Sequence, residues 1–147
     1  MTQAEFDALI DDAMKTIAGD ISWSDDEDHS PAVEYRVDVS SPAGYPNFVR
    51  GSYNGAISTL TYALIHRGSG RIYGLDLGKD HHNPDCVYVG EKHKHRWTDT
   101  VGDKQAYVPP DITAPASDPV LVWQQFCAEA KIQHAGSMSP PPFRPGP

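Results

Sequence analysis

The chain has 147 residues, of which 39% are hydrophobic, 10% aromatic and 22% charged, with a formal net charge of -8, a profile that fits one folded unit. No window approaches the ~18 uninterrupted apolar residues of a membrane span, and the first residues lack the basic and apolar stretches of a secretion signal, so a soluble, cytoplasmic protein with no membrane partner is expected. The acidic balance argues against a general nucleic-acid binder, and the two cysteines, Cys86 and Cys127, have no C-x-x-C spacing for a zinc or redox motif.

The charge is unevenly spread: residues 1–30 carry a net -8, residues 31–65 none, residues 66–97 +2 and residues 98–147 -2. An acidic N-terminal segment and a basic central one either complement each other within the fold or restrict polyanions to the central part.

Phe6, Leu9, Ile10, Ala13 and Ile17 recur at helical spacing, which predicts a helix over residues 3–17 with Thr2 as its cap and Gly19 as its stop. The run Asp25-Asp26-Glu27-Asp28 before His29-Ser30-Pro31 reads as a turn or mobile loop, since adjacent carboxylates repel and Pro31 blocks a helix; the spaced ligands and glycine of an EF-hand are missing. From Ala32 the period changes to two. Val33, Tyr35, Val37 and Val39 alternate with Glu34, Arg36 and Asp38 to give a half-buried strand. Phe48–Tyr53 forms a second strand, Asn54-Gly55 a hairpin turn, and Ile57–His66 a third strand whose apolar groups on both faces suit a central position. Gly68-Ser69-Gly70 then turns the chain into a fourth strand, Arg71–Leu77. Connections this short demand an antiparallel meander.

Beyond Trp97 the chain is irregular and proline-rich until Asp118, which caps a second helix with Pro119 at its first position and Val120, Trp123, Phe126, Cys127 and Ala130 along one side. Residues 139–147 read as a polyproline tail with one P-x-x-P match at Pro142–Pro145, loose or lying on the body of a domain spanning 1–138. The expected fold is therefore α+β: an antiparallel sheet of about five strands with an N-terminal and a C-terminal helix packed on one side.

Five of the seven histidines fall between His66 and His95. If residues 91–97 are extended, Glu91, His93, His95 and Trp97 share one face and Lys92, Lys94 and Arg96 the other. The preceding loop starts after Asp76 with a change of direction at Gly78 and a turn at Asn83-Pro84; folded back, it brings His81 or His82 and Asp85 to the pair two residues apart. Two chemistries use such a set. One is a divalent metal site in which H-x-H on a strand supplies two nitrogens. The other is metal-free, cofactor-free phosphodiester cleavage, where one imidazole takes the proton of a ribose 2'-hydroxyl, another protonates the leaving oxygen, and a cation offsets charge on the phosphorane. The candidate catalytic residues are His81, His82, His93 and His95, with Asp76 and Asp85 orienting an imidazole. Lys94 and Arg96 are candidate phosphate contacts, with Lys92, Arg67 and Arg71 beside them, and Trp97, Tyr107 or Tyr88 are candidates to stack on a base. His29, His66 and His134 stand alone. A nucleophile elbow and the glycine patterns of nucleotide binding are missing from the sequence.

The stretch from Arg71 to Asp76, followed by His81-His82-Asn83-Pro84-Asp85 and His93-Lys94-His95, resembles uncharacterised small bacterial and phage-borne domains with an H-x-N-P-D…H-x-H signature. It is more distantly similar to the TumE-type toxins of bacterial toxin–antitoxin pairs. The resemblance covers about residues 57–107. It implies a similar sheet and site and, on the toxin side, a cytoplasmic ribonuclease with RNA as substrate and a cognate antitoxin as partner. The rival expectation is a non-catalytic interaction or inhibitor protein that docks a protein partner through its acidic N-terminal surface.

Overall fold

A computed structural model describes residues 1–142. Helix α1 (Gln3–Asp11) leads into strand β1 (Lys15–Ala18), and then come β2 (Ser24–Asp25), β3 (Val33–Val39), β4 (Asn47–Asn54), β5 (Thr59–His66), β6 (Gly70–Leu77), β7 (Lys92–Arg96), β8 (Ala106–Tyr107), helix α2 (Pro119–Ala130) and β9 (Ile132–Ala135). Strands β2 to β8 form a sheet in sequence order, every neighbouring pair antiparallel. The meander is as expected, and β5 is its central strand. The sheet has seven strands rather than about five, because two-residue strands at each edge are too short to leave a period in the sequence.

Alternation of side chains puts Tyr35, Val49, Leu60, Tyr62, Leu64, Tyr73 and Leu75 on one face, where they form a core with Phe6, Leu9 and Ile10 of α1 and Val122, Trp123 and Phe126 of α2. Both helices therefore cover the same face. The aromatic rings carry much of this packing: Tyr62 lies 5.1 Å from Trp123 and 5.8 Å from Phe126, and Trp23 packs edge-on to Tyr35 at 4.9 Å. Among the described residues, neither helix covers the opposite face.

The first helix is shorter than its apolar spacing predicts. Thr2 and Glu5 form a reciprocal capping box at its start, but Asp12 is already extended and Ile17 belongs to β1. Thr16 and Ile17 are β-branched, and β1 finds a partner in β9, with which it pairs in parallel. The Nζ of Lys15 closes the helix end by donating to the carbonyls of Leu9, Ile10 and Asp12 at 2.9, 2.9 and 2.6 Å. The second helix begins as expected, with the Asp118 carboxylate accepting from the Leu121 amide.

In the acidic segment, Ser24–Asp25 is an edge strand, and the Asp26 carboxylate meets the His29 ring. Pro140, Pro141 and Pro142 lie along a groove with Pro31, Val33 and Tyr53, and the Trp23 indole donates to the Ser139 carbonyl. The P-x-x-P match at 142–145 extends outside the described residues. Both cysteines are free thiols, Cys86 exposed and Cys127 buried. Among the described residues, no helix is long and apolar enough to cross a membrane.

Candidate functional site on the open face of the sheet

Strand register decides which groups meet. Thr61 of β5 is opposite Asp76 of β6, and Asp76 is opposite His93 of β7; Gly74 is opposite His95. With a period of two, Thr61, Asp76, His93 and His95 all point away from the helices, whereas Lys92, Lys94 and Arg96 share the core face with Leu77, Leu75 and Tyr73. Imidazoles and basic groups thus sit back to back.

The loop between β6 and β7 supplies the third imidazole. Gly78 has φ +82°, and any Cβ there would strike the Ser58 carbonyl oxygen, so only glycine lets the chain leave β6 at this angle. The loop then doubles back along β8. The Asn83 side chain acts as an extra rung of the sheet: its Oδ1 accepts from the Ala106 amide at 2.8 Å and its Nδ2 donates to the Ala106 carbonyl at 3.0 Å. This seats the ring of His81 5.2 Å from that of His93 and 4.5 Å from that of His95, which are themselves 4.9 Å apart. His93 and His95 are buried, while His81 is the partly exposed member of the three.

Behind the rings lies Asp76, 6% exposed. Its Oδ1 accepts from the Thr61 hydroxyl at 2.6 Å. Its Oδ2 lies 3.2 Å from His93 Nε2, 3.5 Å from His95 Nε2 and 3.6 Å from Arg71 Nη1. Burial alone would push this carboxyl up, but hydrogen bonds from His93, His95 and Thr61, together with the Arg71 charge, outweigh burial and hold it far below the usual carboxylate range. The Arg71 stem fills the space over Gly74, and its Nε donates to Asp103 at 2.8 Å. One ring nitrogen from each of His81, His93 and His95 lies within 4.8 Å of the others, a spacing from which three imidazoles are able to hold a metal ion.

A cleft of about 400 Å³ on the same face adjoins this cluster, lined by His29, Arg50, Ser52, Thr61 and Lys79 among others. Thr61 belongs to both: its hydroxyl donates to Asp76 and accepts from Lys79 Nζ at 2.9 Å.

The other expected site residues lie elsewhere. His82 is exposed with its ring against Tyr88, and Asp85 is exposed and accepts from the Val87 amide. Lys94 is fully buried on the core side, where its Nζ donates to the Tyr73 hydroxyl at 3.0 Å, to Asp111 at 2.8 Å and to Glu129. Burial lowers its pKa, and the contact with Asp111 works against that fall. Tyr107, also on the core side, donates to Glu129. Arg96 lies over the Phe6 ring, and Trp97 packs on the same ring. Lys92 donates to the Ile112 carbonyl, and Arg67 pairs with Asp38. His134 is a fully paired neutral ring: the Trp123 indole donates to its Nδ1, and its Nε2 donates to the Gly19 carbonyl. Thr61, Asn83, Lys79 and Asp103 were not singled out as site residues from sequence. Thr61 was legible in principle, since it alternates with the apolar positions of β5 and so lies on the open face.

A family model matches residues 1–132 and describes a family of unknown function (DUF6978), and the chain belongs to that family. No curated protein and no solved structure matches the chain.

Proposed function

With membership of a family of unknown function as the starting point, we propose from the site itself that the protein is a small histidine-dependent phosphodiesterase acting on RNA. Its centre is the cluster of His81, His93, His95 and Asp76. The observation that carries this reading is the convergence of three imidazoles and one carboxylate beside a cleft that presents cationic side chains. Lys79 at the cleft gives a phosphate group a counter-charge that the chain as a whole does not offer; Arg50 also lines the cleft but is paired with Glu34 at 3.2 Å, and Asp26 stands beside His29 there. Thr61 places any anion held by Lys79 next to the cluster. His81, open to solvent, is the imidazole a substrate meets first, and His93, His95 and Asp76 stand behind it. The biological setting, a toxin-type or phage-conflict protein with a cognate antitoxin, rests on the resemblance of residues 71–76, 81–85 and 93–95, within about residues 57–107, to such domains.

The test is cleavage of total cellular RNA and of end-labelled oligoribonucleotides by the purified chain at low salt. The proposal expects discrete products from the wild type, a loss of at least a hundredfold in His81→Ala, and weaker, more salt-sensitive substrate binding in Lys79→Ala. Wild-type protein that leaves RNA intact, or His81→Ala protein that cleaves as well as the wild type, removes it. Binding to a basic protein partner with no affinity for RNA would instead support a non-catalytic protein acting through its acidic N-terminal surface.

A further inference from the structure

Hydrogen bonding fixes where the protons of the three clustered rings lie. His93 Nδ1 is 2.9 Å from the Gly90 carbonyl oxygen, His95 Nδ1 is 2.7 Å from that of Asp103, and His81 Nε2 is 2.9 Å from that of Lys104. A carbonyl oxygen only accepts, so each of these nitrogens carries its hydrogen. In a neutral imidazole the other nitrogen is then a lone pair. For His93 and His95 that nitrogen is Nε2, and both Nε2 atoms face Asp76 Oδ2, itself an acceptor. Each Nε2 therefore hydrogen-bonds to Asp76 only when its ring carries a second hydrogen; without one, nitrogen lone pairs and a carboxylate oxygen face one another, and another cation is needed among them. His134 shows the contrast: its two nitrogens have one donor and one acceptor as partners, and the neutral ring needs nothing further.

We propose that the cation is a divalent transition metal, held by His93 Nε2, His95 Nε2 and Nδ1 of His81, whose Nε2 is taken by the Lys104 carbonyl, with Asp76 Oδ2 as its fourth donor. Two independent features support the site. The first is the convergence of one nitrogen from each ring within 4.8 Å. The second is that all three rings are pinned by an N–H donated to a backbone carbonyl, the arrangement that orients imidazole ligands in metalloproteins. A tetrahedral shell with metal–nitrogen bonds of ~2.0–2.1 Å needs nitrogens ~3.4 Å apart, so the rings close in by about an ångström on binding. Asp103, 2.8 Å from Arg71 Nε, offsets the guanidinium charge that would otherwise oppose a dication. Three imidazoles and a carboxylate select zinc or a neighbouring transition ion over magnesium, which prefers oxygen.

This inference shares with the proposed function the identity of the centre but not its substrate. The test uses full-length protein without a polyhistidine tag, stripped with chelator and titrated with Zn2+, Co2+ and Mg2+. Expected are about one zinc per chain by elemental analysis, a visible absorption band of tetrahedral cobalt, no comparable magnesium uptake, and a hundredfold or greater loss of zinc affinity in His81→Ala. His81 is partly exposed, so this variant retains its fold, and circular dichroism checks that it does. A stoichiometry near zero, or cobalt binding with a spectrum unchanged in His81→Ala, overturns the proposal. RNA cleavage that persists without bound metal defeats the metal site and leaves the phosphodiesterase intact. Metal binding in a protein inert toward RNA does the reverse.

Discussion

Asp76 Oδ2 lies 3.2 Å from His93 Nε2, and the two residues are direct partners across β6 and β7, so the sheet register itself sets the distance. A contact fixed this way does not depend on loop conformation, and His81 is the only one of the four central side chains brought in by a loop.

Asp76→Asn keeps the shape but removes the charge that three hydrogen-bonding side chains and Arg71 address. Breaking a buried charged contact costs about 3–5 kcal/mol near neutral pH. The folded-state pKa of Asp76 lies below its unfolded value, so its contribution is complete above ~3.9 and is lost as the pH falls through the folded value. Urea denaturation at pH 7, 5 and 3.5 should show the gap between wild type and variant narrowing toward acid. A gap independent of pH would contradict this.

Asn83→Ala leaves the amide and carbonyl of buried Ala106 without partners, a loss of about 2–4 kcal/mol. Asn83→Asp should be worse than alanine, because a carboxylate oxygen would then face the Ala106 carbonyl. Thermal melts of the two variants rank them directly.

Lys15 ends helix α1 with three hydrogen bonds, and Lys15→Met should destabilise the fold by about 2–3 kcal/mol at pH 7 by orphaning those carbonyls. Burial brings the Lys15 pKa down to about 8. Between that value and ~10.4 the unfolded chain binds more protons than the folded one, so the penalty for burying this charge is full below pH 8 and is relieved as the pH rises. Wild-type stability should therefore gain on Lys15→Met between pH 8 and 10 in parallel denaturation series.

Gly51→Ala would drive a methyl group into the Tyr35 ring, which packs against Trp23, Tyr62 and Trp123 and has little room to retreat. A cost of about 1–3 kcal/mol is expected from this overpacking. Near-ultraviolet circular dichroism should change along with the melting temperature, since the displaced group is an aromatic cluster.

The meander and the placing of the histidines were legible because they rest on period two. That rule holds even for Lys92–Arg96, where every residue is polar. The fate of Lys94 was not legible, because its burial depends on Asp111 and Glu129, which come from a loop and from α2. Through β1 the sequence still reads as helix, because Ala13 and Ile17 continue the apolar spacing and the partner strand that overrides it lies more than a hundred residues away. The folding back of the loop onto His93 and His95 follows from Gly78 and the turn at Asn83-Pro84, while the Asn83 rung that fixes it has no periodic signature.

The parallel pairing of β1 with β9 gives the molecule a late clasp. A ribosome releases β1 more than a hundred residues before β9, so until then β1 has only its bridge from Thr16 to Ser40 while the meander is made. The open end of α1 is held by Lys15 in that interval, and β1 acquires β9 as its neighbour only after α2 has been made.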